Sequence, residues 1–267
     1  MTTVSDVIAL MEELAPPELA ESWDNPGLQL GSPEWPVQKI MVALDALPAV
    51  VGDACEQGAD LLITHHPFIF KALKQIDFST PQGRMMELAT RNRLAVFSAH
   101  TNLDWARGGL NDAFAEAIGL KNISPLVAME QAGPENGLGR IGAVTAPTDL
   151  AGLANSIKRV FGIARLRITG ALDMPVRRVA ICTGSGSGLL SAFFESDAQV
   201  FISGDLRYHD ARDAELQQRA LIDLGHFASE HLMVDLIRRK LSMELARSGH
   251  EAAVLATEKE RDPFVLF

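Results

Sequence analysis

Three short segments set histidines where a sheet would present them to a ligand. His65-His66-Pro67 follows the run Asp60-Leu-Leu-Ile-Thr64, His100 follows Leu94–Ala99, and His226 follows Ala220–Gly225. Sheets of α/β type bind ligands beyond the carboxyl ends of their strands, so each run delivers an imidazole to a working position. His100 and Asp104 are four apart, as are His226 and Glu230. At that spacing the imidazole and carboxylate of each pair project from one helix face and can chelate one ion or bridge two. His65 and His66 are neighbours in extended chain and point in different directions, which suits two metals better than one. Pro67 keeps His66 extended. The set offers nitrogen and carboxylate oxygen without sulfur, which fits Zn, Fe, Mn or Co, with Mg admissible where water completes the shell. His209, in Gly204-Asp-Leu-Arg-Tyr-His-Asp210, is a candidate acid or base, and Asp45 is a lesser candidate. His231 points away from Glu230, and His250 gets no functional reading. Gly184-Ser-Gly-Ser-Gly188 follows a strand and could cradle phosphate on its backbone N–H groups, although it is neither a Walker A loop nor GxGxxG.

The elements that must hold these residues follow from periodicity. Val4, Val7, Ile8, Met11 and Leu14 define a helix that Thr3 and Asp6 cap and Pro16 stops. Strands are expected over 39–46, 59–64, 94–99, 141–145 and 177–183, alternating with helices over 48–57, 81–93, 108–118 and 149–161. Such alternation predicts parallel or mixed sheets with helices on their faces. Val127–Gly139, rich in Gly, Pro and polar residues, reads as a linker.

The halves echo one another. Val176–Ile181 parallels Val37–Val42, and Ala198–Ser203 parallels Ala59–Thr64. Arg93, a six-residue strand, His100 and Asp104 are matched by Arg219, a six-residue strand, His226 and Glu230. Internal duplication accounts for that shared spacing. The expected fold is α/β: two similar units with mixed sheets flanked by helices, related by internal pseudo-symmetry, with a metal cleft between them. The first unit is expected over 1–126 with the tail 250–267, and the second over 127–249.

With 267 residues, 47% hydrophobic and 22% charged, the chain has a globular composition. It carries no apolar run long enough to span a bilayer and no signal-peptide pattern at its N-terminus. A formal net charge of −10 disfavours duplex nucleic acid as a partner. Two cysteines without a CxxC argue against a thiolate zinc site and for the reducing cytoplasm.

Six motifs together resemble the NIF-three-like dinuclear metal-centre family, also named type 2 GTP cyclohydrolase I. They are SWDNPGLQLG (22–31), ITHHP (63–67), SAHTNLDWARGGLND (98–112), TGSGSG (183–188), SGDLRYHDA (203–211) and GHFASE (225–230). They span most of the chain in the family's order. The resemblance implies two interleaved α/β units, a toroidal homohexamer and two divalent metal ions per subunit. It implies His65, His66, Asp104, His226 and Glu230 as ligands, with His100 lining the site. The middle of the chain is too short for the extra domain that some members carry. The implied activity is hydrolytic opening of the GTP ring with formate release, with His100 or His209 as proton donor. The alternatives are a non-catalytic metal-binding toroid and a phosphoesterase acting on nucleotides or single strands.

Overall fold

The computed structural model describes residues 1–129 and 132–265, and the chain divides into two compact units. The first comprises Met1–Leu103 together with the chain from Met233 onward; the second is Asp104–Leu232. These divisions differ from the expected ones at 126/127 and 249/250. Helical residues Phe114 and Ala115, with Leu120, are buried among Val179, Ile181 and Val200, so they are core of the second unit and not an end of the first.

The first unit opens with α1 (Val4–Leu14), whose Thr3 and Asp6 form the reciprocal capping box. Strands β1 (Gly27–Leu30), β2 (Lys39–Ala43), β3 (Leu61–Thr64) and β4 (Ala95–Ser98) follow, with crossover helices α2 (Pro48–Glu56) and α3 (Pro81–Arg91). The middle of the sheet is parallel: Ile40 pairs with Leu61, and Leu61 with Ala95. Every residue of β3 and β4 is buried, as continuous apolar runs covered on both faces require. Val51 and Met86 from the helices pack on Met41, Leu62 and Val96. β1 adds antiparallel to β4, bringing the turn at residues 22–26 to the end of that strand.

α4 (Thr101–Trp105) leads the chain into the second unit. After α5 (Leu110–Ala117), β5 (Lys121–Ala128) and β6 (Gly137–Asp149) pair antiparallel. The stretch 127–139 is therefore not a free linker: Val127 pairs with Leu138 and Ala128 with Gly137. Glu130 and Gln131 of that stretch lie outside the described residues. Gly137 and Gly139 answer to space: a Cβ on Gly139 (φ +63°) would lie 2.7 Å from the Ile181 carbonyl oxygen. Next come α6 (Leu150–Phe161), capped by Asp149 and ended by left-handed Gly162, then β7 (Arg167–Thr169) and β8 (Pro175–Ser185). α7 (Leu190–Glu195), β9 (Val200–Gly204), α8 (Tyr208–Leu216), β10 (Ala220–Asp223) and α9 (His226–Glu230) complete the unit. The sheet runs β5-β6-β8-β9-β10-β7, with β8, β9 and β10 parallel. Each unit thus holds three consecutive parallel strands joined by helices.

α10 (Leu232–Arg247) returns the chain to the first unit, where β11 (Ala253–Ala256) adds parallel to β2. Residues 266 and 267 of the tail lie outside the described residues. Among the described residues no helix is long and apolar enough to cross a membrane.

Candidate metal centre

In the first unit the ends of β3 and β4 gather three imidazoles. Ligand atoms of His65, His66 and His100 lie within 4.8 Å of one another. The rings sit 5.1–5.6 Å apart between centroids. Each Nδ1 meets an oxygen. His65 Nδ1 is 2.8 Å from the Ala99 carbonyl, His66 Nδ1 2.8 Å from an Asp45 carboxylate oxygen, and His100 Nδ1 2.7 Å from an Asp24 carboxylate oxygen. A carbonyl only accepts, so His65 carries its proton on Nδ1 and its lone pair on Nε2. Oxygen partners at Nδ1 are what fixes Nε2 as the coordinating nitrogen of a metal-ligating histidine.

The backbone around these rings is tied down. The His65 and His66 N–H groups both donate to the Leu44 carbonyl, and the Thr64 hydroxyl donates to the His66 carbonyl at 2.8 Å. Asp24 also accepts from the Thr101 amide and hydroxyl, at 3.0 and 2.5 Å. Burial alone would raise the Asp24 carboxyl. Hydrogen bonds from His100 and Thr101, with the charge of the imidazole, hold it down at about 2. Burial and the neighbouring imidazoles His65 and His66 push the His100 pKa down, against the pull of Asp24. Glu260, far along the chain, accepts from the Leu44 and Asp45 amides at 2.9 and 2.8 Å and so steadies the carboxylate that holds His66.

In the second unit, α9 sets His226 and Glu230 on one face, as their spacing requires: Nε2 and Oε2 are 2.8 Å apart. His226 Nδ1 meets Asp205 at 2.8 Å, repeating the oxygen-held pattern. Two glycines make room. A Cβ on Gly204 would lie 2.6 Å from the His226 amide, and one on Gly184 (φ +62°) would overlap the Glu230 carboxylate. Asp104 lies in α4, where its carbonyl accepts from Asn111. Burial raises the Cys182 thiol, and the charges of Asp104 and Glu230 raise it further, so both carboxylates lie within electrostatic reach of one buried sulfur.

The Gly184–Gly188 loop turns part of its amide array into the protein. The Gly184 and Gly186 amides donate to the Ser229 and Ser203 hydroxyls at 2.8 and 2.9 Å, so they are spent inside the protein. Gly184 and Gly186 serve close packing against Glu230 and Ser203. His209 is exposed on the first turn of α8, its ring 5.3 Å from that of Tyr208. His231 stacks on Phe227, and His250 meets Thr2. Sequence reasoning gave no role to Asp24, Asp205 or Glu260, although the first two lie inside the motifs at 22–31 and 203–211. Motif membership was the signal for Asp24 and Asp205; Glu260, far from every histidine-bearing strand end in sequence, had none.

A sequence model of the Duf34/NIF3 (NGG1p interacting factor 3) family matches residues 2–263. Proteins named GTP cyclohydrolase 1 type 2 homolog are 32% identical in Clostridium perfringens, over 98% of both chains, and 34% identical in Streptococcus pneumoniae, over 97% of this chain and 98% of the other. Among solved structures, a hypothetical protein of Staphylococcus aureus superposes with TM-score 0.93 at 28% identity, covering 99% of both chains. A Bacillus cereus protein related to NIF3 has the same fold, with TM-score 0.94 at 24% identity over 100% of this chain and 99% of the other.

Proposed function

Because the chain belongs to the Duf34/NIF3 family, we propose that it is a metal-dependent hydrolase that opens the purine ring of GTP and releases formate. The observation that carries this reading is that His65, His66, His100 and His226 each set Nδ1 against an oxygen partner, the arrangement of metal-ligating histidines, with His226 Nε2 beside the Glu230 carboxylate. The names of the relatives supply the substrate.

On this reading His65, His66, Asp104, His226 and Glu230 hold two divalent ions, with Zn, Fe, Mn or Co suited to the donors and Mg admissible. The donors fit: imidazoles oriented by carboxylates and a carbonyl, beside carboxylate oxygens, are a ligand set for such ions. Bound there, the cations supply Lewis acidity and make water nucleophilic at neutral pH. Asp45, Asp24 and Asp205 keep the imidazole rings in register. Hydrolysis at C8 consumes two waters, the first opening the ring and the second freeing the carbon as formate. His100, uncharged near neutrality because burial lowers its pKa, takes a proton at Nε2 and passes it to the departing ring nitrogen. His209 is the alternative donor. The reading also includes internal duplication, a homohexameric toroid and a cytoplasmic location, the last in keeping with two free cysteines.

The test is product analysis of metal-loaded protein with GTP. Formate with the triphosphate intact is expected, and His100→Ala should slow its release about 100-fold, the usual reach of acid–base catalysis. Phosphate release with the ring intact, lost in Glu230→Ala, would replace ring opening by phosphoester hydrolysis. A protein giving neither product would be a metal-binding toroid without this activity.

A further inference from the structure

Two exposed aromatic side chains stand over His100. Trp23 is 58% and Phe70 49% exposed. Their rings meet edge to face with centroids 6.0 Å apart, and each lies close to the His100 ring, at 6.1 and 6.3 Å. Neither is left there by a loose loop. Asn25 Nδ2 donates to the Ile69 carbonyl at 2.6 Å, the Ile69 amide donates to Gln29 Oε1 at 3.1 Å, and Gln29 Nε2 donates back to the Asn25 carbonyl at 2.7 Å. That bracing ties the residues after Trp23 to the residue before Phe70. From the other side, Gln82 donates to the Phe68 carbonyl at 2.9 Å.

Holding two large aromatic rings rigidly with about half of each in water leaves apolar surface that a ligand could cover. An aromatic face beside hydrogen-bonding imidazoles matches a flat heteroaromatic ring, which stacks through its π-face and is read at its polar edge. We propose that Trp23 and Phe70 form the stacking platform for the substrate's nucleobase. The inference rests on the nucleotide reading above and adds what that reading lacks, namely residues that bind the base.

Calorimetry of guanosine and of inorganic triphosphate, titrated separately into the purified protein, tests it. Guanosine binding should weaken about tenfold in Trp23→Ala and in Phe70→Ala, a loss within the range of base stacking, and be largely kept in Trp23→Phe. Triphosphate binding should not change. Both residues are exposed, and unchanged melting temperatures would confirm intact folds. Guanosine affinity equal in wild type and both alanine variants, or no guanosine binding at all, would overturn the proposal. So would a loss of assembly in the variants by light scattering without loss of guanosine binding, since the pair would then be a contact between copies of the chain. Failure of the ring-opening reading looks different: guanosine would still bind through Trp23 while GTP gave no formate. Formate production with an unchanged KM in Trp23→Ala would sink the platform and leave ring opening standing.

Discussion

The carboxylates behind the histidines give the site its sharpest tests. The Asp24 side chain is inaccessible to water, and its pKa is held at about 2 against an ordinary 3.8. Because the folded carboxyl is the stronger acid, its contribution to stability is complete above the unfolded value. It drains away as pH falls from about 4 toward about 2, and the shift corresponds to about 2 kcal/mol. Asp24→Asn should therefore melt well below wild type at pH 7, with the gap closing as the pH is lowered; a gap independent of pH would contradict the assignment. Gly184 offers a second test. Alanine there meets both a left-handed φ and the Glu230 carboxylate, so Gly184→Ala should lose about 1–2 kcal/mol in denaturant melts and shed bound metal on dialysis. At this scale the sequence was legible for His65, His66, His100 and the His226–Glu230 pair, because strand ends and i,i+4 spacing are local. It was silent on Asp24, Asp205 and Glu260, because no local rule tells which of 34 acidic side chains will meet an imidazole Nδ1.

Elements were legible wherever periodicity and caps agreed. α1, α2, α3, α5 and α6 begin and end within about three residues of their expected bounds, since Thr3, Thr80 and Asp149 cap three of them and proline or glycine follows all but α3, which ends at Asn92 and left-handed Arg93. The hairpin of β5 and β6 escaped because its glycines signal flexibility in sequence but close approach in the fold. A buried charge holds that hairpin in place. Arg140 is only 1% exposed; its guanidinium donates to Asp112 at 2.6 and 2.8 Å and to the carbonyls of Gly137, Gly139 and Ala106. Asp112→Ala strands this cation in the interior. It should cost about 3–5 kcal/mol by chemical denaturation, far more than loss of the exposed Arg107–Glu135 pair. Equal, small losses from both would show that Arg140 does not brace β6 on α5. The tail gives a parallel case: Glu260→Ala removes the acceptor of the Leu44 and Asp45 amides and should loosen His66, lowering metal retention with a loss of about 1–3 kcal/mol.

At the scale of the whole molecule, the α/β class and the paired sheets were readable from alternation, while the chain's division was not. Residues 104–126 carry helical and strand patterns that suit either unit, and only the burial of Phe114 and Leu120 among second-unit residues decides between them. Assembly belongs to this scale as well. Light scattering at micromolar concentration should give six times the 28.9 kDa chain, and a monomer would remove the toroid from the proposal. The proposal as a whole stands on a centre that holds two ions, and metal analysis of purified, metal-loaded protein measures that directly. Two equivalents of a divalent transition metal per chain are expected, falling steeply in Glu230→Ala while circular dichroism and melting show an intact fold. Wild-type protein that retains no divalent ion under any loading condition, or a Glu230→Ala variant that retains both, would contradict it.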